Sequence, residues 1–144
     1  MSKQYLWSMS VIFSLIFTAA ASAHETQPRS NEDIVKLNFA HRLPGIPGKS
    51  LKAVEVIYPP GAASPSHRHA SSAFIYAYVV AGEIVSQAAG QPERTWRAGE
   101  SWYEEPGAHH LVSRNASKDV PAKLLAVFVV DSHDTELTIA DQQK

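Results

Sequence analysis

The sequence predicts an all-β fold, arranged as a single-domain sandwich or barrel. Short segments rich in β-branched and aromatic residues recur at spacings of about 8 to 12 residues, with turns rich in glycine and proline between them. After residue 23 no segment carries the apolar period of a convincing helix. The 144 residues suffice for one hydrophobic core.

The first 23 residues have the features of a signal peptide. Lys3 supplies a positive end, an apolar run broken by serine and threonine follows, and Ala21-Ser22-Ala23 fits a cleavage site. That run is shorter than the roughly 20 continuous apolar residues of a membrane-spanning helix. We therefore expect cleavage after Ala23, no stable membrane anchor, and a secreted or periplasmic protein.

Composition divides the remaining chain into three parts. Residues 24–48 predict a polar N-terminal arm, a first short strand around Ile34 to Phe39, and a loop. Residues 49–131 predict the barrel. Residues 132–144 form a polar C-terminal tail that adds one edge strand at most.

The predicted barrel strands follow in chain order, each closed by a turn. They span residues 53–58, 74–80, 84–88, 93–96, 101–104, 111–114 and 123–130. The last is apolar almost throughout, which suits a strand covered on both faces. Trp96 and Trp102 flank Gly99, and we expect both to be packing aromatics.

Charge and cysteine content exclude several functions. The 13 basic and 14 acidic residues are scattered, so the basic stripe of a nucleic-acid-binding protein is missing. Without cysteine there is no disulfide framework, thiolate ligand or thiol nucleophile. No serine-hydrolase elbow, phosphate-binding loop or zinc-protease helix motif occurs.

Four histidines form the candidate site. His67 and His69 are two positions apart, so on a strand they point to the same side. A second pair, His109-His110, follows Pro106-Gly107. Adjacent strand residues face opposite ways, so one of this pair could complete a three-imidazole metal site. Since a metal–nitrogen bond is about 2 Å long, the three nitrogens must then lie within about 5 Å of one another.

The order of glycines and histidines resembles the two motifs of the cupin superfamily. Gly61, His67, His69 and Gly82 match the first motif, and Gly99, Gly107 and His110 match the second. The resemblance is to a small, single-domain cupin of the type 2 conserved barrel. It implies a double-stranded β-helix, a jelly-roll-like barrel, with a metal ion held by His67, His69 and His110.

The first motif lacks its acidic residue. Ala73 stands at its position counting forward from His69, and Ile75 counting back from Gly82. Glu104 or Glu105 could replace it, but the favoured interpretation is a pair of solvated loop carboxylates. Without an acid the ion would keep its full charge and prefer an anionic oxygen ligand, such as an enolate, carboxylate or catecholate.

Strand parity separates two faces of the segment 74–80. Both candidate positions of the missing acid are odd, so Ile75, Ala77 and Val79 should face the cavity. Phe74, Tyr76 and Tyr78 then form an aromatic face. We expect that face to pack within the monomer, with the interface of a homodimer as the alternative.

Two functions of different classes fit these residues. By resemblance the first is a metal-dependent enzyme of the dioxygenase, isomerase or cyclase type, acting on a small polar or aromatic molecule. Its cofactor would be a divalent transition metal: iron is favoured, and zinc, nickel, manganese or copper also suit imidazole ligands. The second is a non-catalytic module that binds a small molecule or a metal. No catalytic base can be named, since none of the acids clearly faces the cavity.

Overall fold

The computed structural model describes residues 31–141, and all its regular structure is β-strand. The predicted signal peptide lies outside the described residues. The strands are β1 (Ile34–Arg42), β2 (Lys49–Tyr58), β3 (Ala63–Ser64), β4 (His67–His69), β5 (Phe74–Ala81), β6 (Glu83–Ala88), β7 (Arg94–Arg97), β8 (Ser101–Glu104), β9 (His109–Asn115), β10 (Ala122–Asp131) and β11 (Thr138–Ala140). Within this range no helix is long and apolar enough to cross a membrane.

The strands form two antiparallel sheets that enclose the core. The first has the order β1-β2-β10-β5-β8, and the second has the order β11-β4-β9-β6-β7 with β3 paired to β9. Apart from the consecutive pairs β1-β2 and β6-β7, neighbours in each sheet are distant in the chain, as in a double-stranded β-helix. The predicted all-β barrel is confirmed.

Alternation along the strands builds the core between the sheets. In β10 every second residue is buried, and in β5 Ile75, Ala77 and Val79 are buried. The inward residues of β2 and β6 join them. The odd residues of β5 therefore face the interior, as parity predicted.

Gly82 shows why the first motif ends in glycine. It turns the chain from β5 into β6 with a φ of 71°, a conformation that side-chain-bearing residues rarely adopt. A Cβ at this position would stand 2.8 Å from the Cβ of Ala122. The turn thus needs both the conformational freedom and the small size of glycine.

The outer face of the first sheet departs from two expectations. β10 is buried on its inner face only and its outer residues are half-buried, because no described element packs over this face of the sheet. For the same reason Phe74 and Tyr76 are 41% and 45% exposed, and Phe74 stacks on the exposed Tyr103 with ring centroids 5.8 Å apart. The expectation that the aromatic face packs within the monomer is wrong.

Both ends of the described chain join the sheets. β1 pairs with β2, and its nine residues are all exposed, so it is longer than the short strand expected. β11 pairs with β4, placing Thr138 opposite His69 and Ala140 opposite His67. The polar tail thus lies beside the strand that carries two of the candidate ligands.

Candidate metal centre

The pairing of β4 with β9 brings His67, His69 and His110 together. His67 lies directly opposite His110 in the register, and His69 follows on the same face of β4. One ring nitrogen from each lies within 4.8 Å of the others, inside the limit set by a shared metal ion. His109 points to the other side, where its Nε2 lies 2.7 Å from Asp141 Oδ2.

In each of the three imidazoles, one ring nitrogen contacts a neighbouring oxygen and the second is directed toward the other two rings. His67 Nδ1 lies 2.7 Å from the Pro65 carbonyl, and His69 Nδ1 lies 3.4 Å from the carbonyl of Leu137, just before β11. His110 Nε2 lies 3.0 Å from Ser86 Oγ. Such contacts fix the ring orientation and tautomer of metal-ligating histidines. The second nitrogen of each ring, Nε2 of His67, Nε2 of His69 and Nδ1 of His110, takes no part in these contacts and is the one available to a metal ion.

Glu104 completes the cluster. Its Oε2 lies 3.1 Å from His69 Nε2, and its Oε1 lies 3.3 Å from His110 Nδ1. The Trp102 indole N–H donates to Oε1 at 3.0 Å. Glu104 is buried whereas Glu105 is exposed, so the interpretation of the pair as solvated carboxylates is wrong for Glu104.

The register explains how a residue outside the first motif reaches this site. β5 pairs with β8 so that Ile75 lies directly opposite Glu104. Ile75 is one of the two positions where the motif would carry its acid. Because opposed residues on one face of a sheet have Cβ atoms about 4.5–5.5 Å apart, an acid on β8 reaches nearly the same point as an acid on β5.

The donor set fits a divalent transition metal. His69 Nε2 and Glu104 Oε2 are both buried, and although they lie 3.1 Å apart, neither makes a hydrogen bond of acceptable geometry with a described residue. Buried polar groups without partners are rare, and a missing ion is a recognised cause. Two ligands bound at about 2.0–2.2 Å to neighbouring positions of one ion are about 3 Å apart, close to the separations from Glu104.

Burial and the mutual contacts set the charges of the cluster. Burial alone raises the pKa of Glu104, but the contact with His69 and the proximity of His110 outweigh it, so the pKa falls to about 2. Burial lowers the pKa of His110 to about 4, against the opposing effect of Glu104. Burial likewise lowers the pKa of His67. At neutral pH Glu104 is ionised and these two imidazoles are neutral, the forms in which they bind a metal.

A cavity of about 330 Å³ lies between the sheets, with the cluster in its wall. Most of its lining is apolar, from inward residues of β2, β5 and β10. The polar lining outside the cluster is Asp33, Tyr58, Ser64, Ser113 and Thr138. Ligand pockets in proteins measure about 300–1,000 Å³, so a cavity of this size suits a small ligand.

Two further groups have structural explanations. Asp131, His133 and Asp134 also bring ligand atoms within 4.8 Å of one another. However, Asp131 pairs with Lys49 at 2.7 Å and the His133 side chain is 82% exposed, which describes a surface ion-pair cluster. Trp96 and Trp102 stack with centroids 5.1 Å apart and pack against the core, as expected of packing aromatics.

Sequence comparison assigns residues 54–128 to a family model described as Cupin domain. The matched range contains all three histidines, Glu104 and the whole of β5 to β9. No curated protein matches the chain.

Solved structures share the fold at low sequence identity. A conserved protein with a double-stranded β-helix domain from Klebsiella pneumoniae is 17% identical with a TM-score of 0.61, over 81% of this chain and 90% of that one. An oxalate oxidase in complex with glycolate is 23% identical with a TM-score of 0.56, over 73% and 53%. The DMSP lyase DddQ from Ruegeria pomeroyi is 22% identical with a TM-score of 0.55, over 76% and 51%. At these identities the likeness concerns the fold alone.

Proposed function

This chain belongs to the cupin superfamily, and from that premise we propose that it is a metal-dependent enzyme acting on a small polar or aromatic molecule. The observation that carries the proposal is the convergence of three imidazoles and one ionised carboxylate in the wall of a small, largely apolar cavity. His67, His69, His110 and Glu104 would hold the ion. A purely apolar binding pocket would need none of these four groups.

Glu104 changes the charge expected at the centre. An ion held by histidines alone would keep two positive charges, whereas one carboxylate leaves a single net positive charge. The site therefore still favours an anionic oxygen but holds it less strongly than a carboxylate-free site would. When bound, a divalent ion supplies Lewis acidity, and iron adds one-electron chemistry.

The cavity lining narrows the substrate class. Apolar walls from three strands suit a flat or compact hydrocarbon body. The polar patch of the lining, formed by Asp33, Tyr58, Ser64, Ser113 and Thr138, suits a hydroxyl or similar hydrogen-bonding group. Enolisable ketones, catechols and hydroxyketones combine these features with an oxygen that becomes anionic. Among proteins with this architecture, one is named as an oxalate oxidase and another as a DMSP lyase. For this chain we propose dioxygenation, isomerisation or ring closure of such a substrate.

Elemental analysis of the purified protein tests the metal centre. We predict that His67→Ala, His69→Ala and His110→Ala each retain less than about a tenth of the wild-type metal content, because each removes a ligand. His109→Ala is the matched control: the same residue type, one position away, facing outward, and it should retain metal. Equal metal content in all four variants would contradict the proposed site.

Oxygen consumption by the iron-loaded protein with β-diketones, catechols and flavonols then separates an enzyme from a binding module. Turnover that disappears in the three ligand variants supports a dioxygenase. Tight binding of such compounds without consumption or rearrangement would instead favour the non-catalytic module.

We also propose that this enzyme works outside the cytoplasm. The charged start, the apolar run and the Ala21-Ser22-Ala23 site support export. Mass determination of the mature protein in a bacterial host should give a chain beginning at His24.

A further inference from the structure

Four side chains in the polar patch of the cavity wall form a continuous chain of hydrogen bonds. Ser113 Oγ lies 2.7 Å from Tyr58 Oη, and Tyr58 Oη lies 2.8 Å from Ser64 Oγ. Ser64 Oγ in turn lies 2.8 Å from Asp33 Oδ2. All four residues line the same cavity as the histidines, and they come from β9, β2, β3 and the segment before β1.

The carboxylate fixes the direction of every hydrogen bond in this line. An ionised carboxylate only accepts, so Ser64 must donate to Asp33. With its one hydrogen used, Ser64 accepts from Tyr58, and Tyr58 accepts from Ser113. Each hydroxyl therefore points its hydrogen toward Asp33. Ser113 lines the cavity, and its Oγ accepts no hydrogen bond from the described residues.

The line also runs from the interior toward the surface. Tyr58 and Ser113 are buried, Ser64 is half-buried, and Asp33 lies half-buried in the segment before β1. Backbone contacts hold that segment, since Ala63 N–H donates to the Asn31 carbonyl and Glu32 bridges to Ala63. Burial raises the pKa of Tyr58 to about 12, so the phenol stays neutral under ordinary conditions.

We propose that Ser113, Tyr58, Ser64 and Asp33 form a proton relay that takes a proton from the bound substrate and delivers it to Asp33. The inference rests on the proposed function, because it supplies the base that a metal-chelating, enolisable or phenolic substrate requires. The substrate O–H or C–H bond breaks and its electron pair stays on the substrate as an anion. Its proton binds Ser113 Oγ, while the protons of Ser113, Tyr58 and Ser64 each move one oxygen further, the last to Asp33 Oδ2. Asp33 later releases that proton to solvent, and no oxidant or reductant is needed.

A purely structural role for Tyr58 would require fewer hydrogen bonds than this arrangement contains, and no carboxylate at its end. One partner suffices to satisfy a buried tyrosine hydroxyl, yet Tyr58 has two, and the line ends in a carboxylate on a segment outside the core strands. A carboxylate beside an apolar cavity adds desolvation cost without packing. A base at the end of a relay explains both features.

Stopped-flow absorbance with maltol tests the relay. Maltol is a small hydroxyketone that is neutral at pH 7 and must lose its hydroxyl proton to chelate a metal. We expect Asp33→Ala and Tyr58→Phe to slow its association with the zinc-loaded protein by about 100-fold, the lower end of general-base contributions. Metal content should not change. In Asp33→Ala, added formate should restore the rate in proportion to its concentration, which loss of packing alone would not allow.

Asp134→Ala is the matched control, because Asp134 also accepts from a serine, Ser72, at 2.6 Å but lies outside the cavity. It should bind maltol at the wild-type rate. Wild-type rates in Asp33→Ala, or a slow rate that formate does not change, would overturn the relay while leaving the metal centre intact. If metal-loaded wild-type protein gave no maltol chelate band, the proposed function itself would fail, and the relay with it.

Discussion

The phenol of Tyr58 is a buried ionisable group in the cavity wall. It is 1% exposed, and its two hydrogen bonds, to Ser64 and Ser113, by themselves lower its pKa. Burial outweighs them in setting its acidity and raises its pKa from 10.0 to about 12. Folding therefore holds a proton that the unfolded chain releases above pH 10.

This difference predicts how stability changes at alkaline pH. The contribution is fully present below pH 10 and is lost as pH rises through the folded-state value near 12, by about 3 kcal/mol in all. In Tyr58→Phe that loss should be missing. Urea unfolding of both proteins between pH 9 and pH 12 measures it, with the exposed Tyr103→Phe as control. Parallel curves for wild type and Tyr58→Phe would contradict the burial argument.

At the scale of single residues, sequence spacing predicted the imidazoles but not the acids. His67 and His69 are two positions apart on a strand, so their side chains lie on the same face. The second motif identified His110, rather than His109, as the third candidate ligand. Glu104 and Asp33 carry no such signal. Each reaches the cavity through a partner strand or a backbone bridge, and one sequence does not reveal which strands will be neighbours.

At the scale of strands, the pattern located elements more reliably than it located their neighbours. Turns rich in glycine and proline marked β5 to β8 closely, but the four-residue β8 gave no indication that it pairs with β5. That pairing places Glu104 opposite Ile75 and moves the acid from one strand to the next. A register shift in the pairing of β6 with β9 likewise allows His110 and Ser113, three residues apart, both to face inward.

The sequence did not indicate that the two ends of the described chain contribute to the cavity, again because their strand pairing is not visible in one sequence. The tail is polar, so its composition suggested little to bury, yet Leu137 provides the carbonyl that contacts His69 and Thr138 lines the cavity. These contacts come from backbone pairing with β4, which composition does not report. Asp33 likewise reaches the cavity through backbone contacts of its segment with Ala63, although the composition of that segment predicted only a polar arm.

At the scale of the whole molecule, the outer face of the first sheet carries two rows of apolar residues. The register lines up Ala53, Val127, Tyr76 and Tyr103 across four strands of the first sheet, with Leu51, Val129 and Phe74 in the next row. A solvated sheet face is usually polar. Phe74, Tyr76 and Tyr103 are exposed and the other residues of the two rows are half-buried. A contiguous apolar surface open to solvent in this way is typical of an interaction site.

We predict that this face joins two copies of the chain. Light scattering after size-exclusion chromatography should give a dimer for the wild type and a monomer for the double variant Phe74→Lys, Tyr76→Lys, because charges would be buried without partners. Leu111→Lys, an exposed apolar position on β9 of the other sheet, should remain dimeric. A wild-type monomer at micromolar concentration would rule out this interface.

The most direct test of the central claim is a crystal structure of the metal-loaded protein, with anomalous scattering recorded at the edge of the added metal. We predict one ion per chain in the cavity wall, with nitrogens of His67, His69 and His110 and an oxygen of Glu104 as ligands at about 2.0–2.2 Å. An ion bound only at Asp131, His133 and Asp134, or one held by the histidines with Glu104 turned away, would contradict the account.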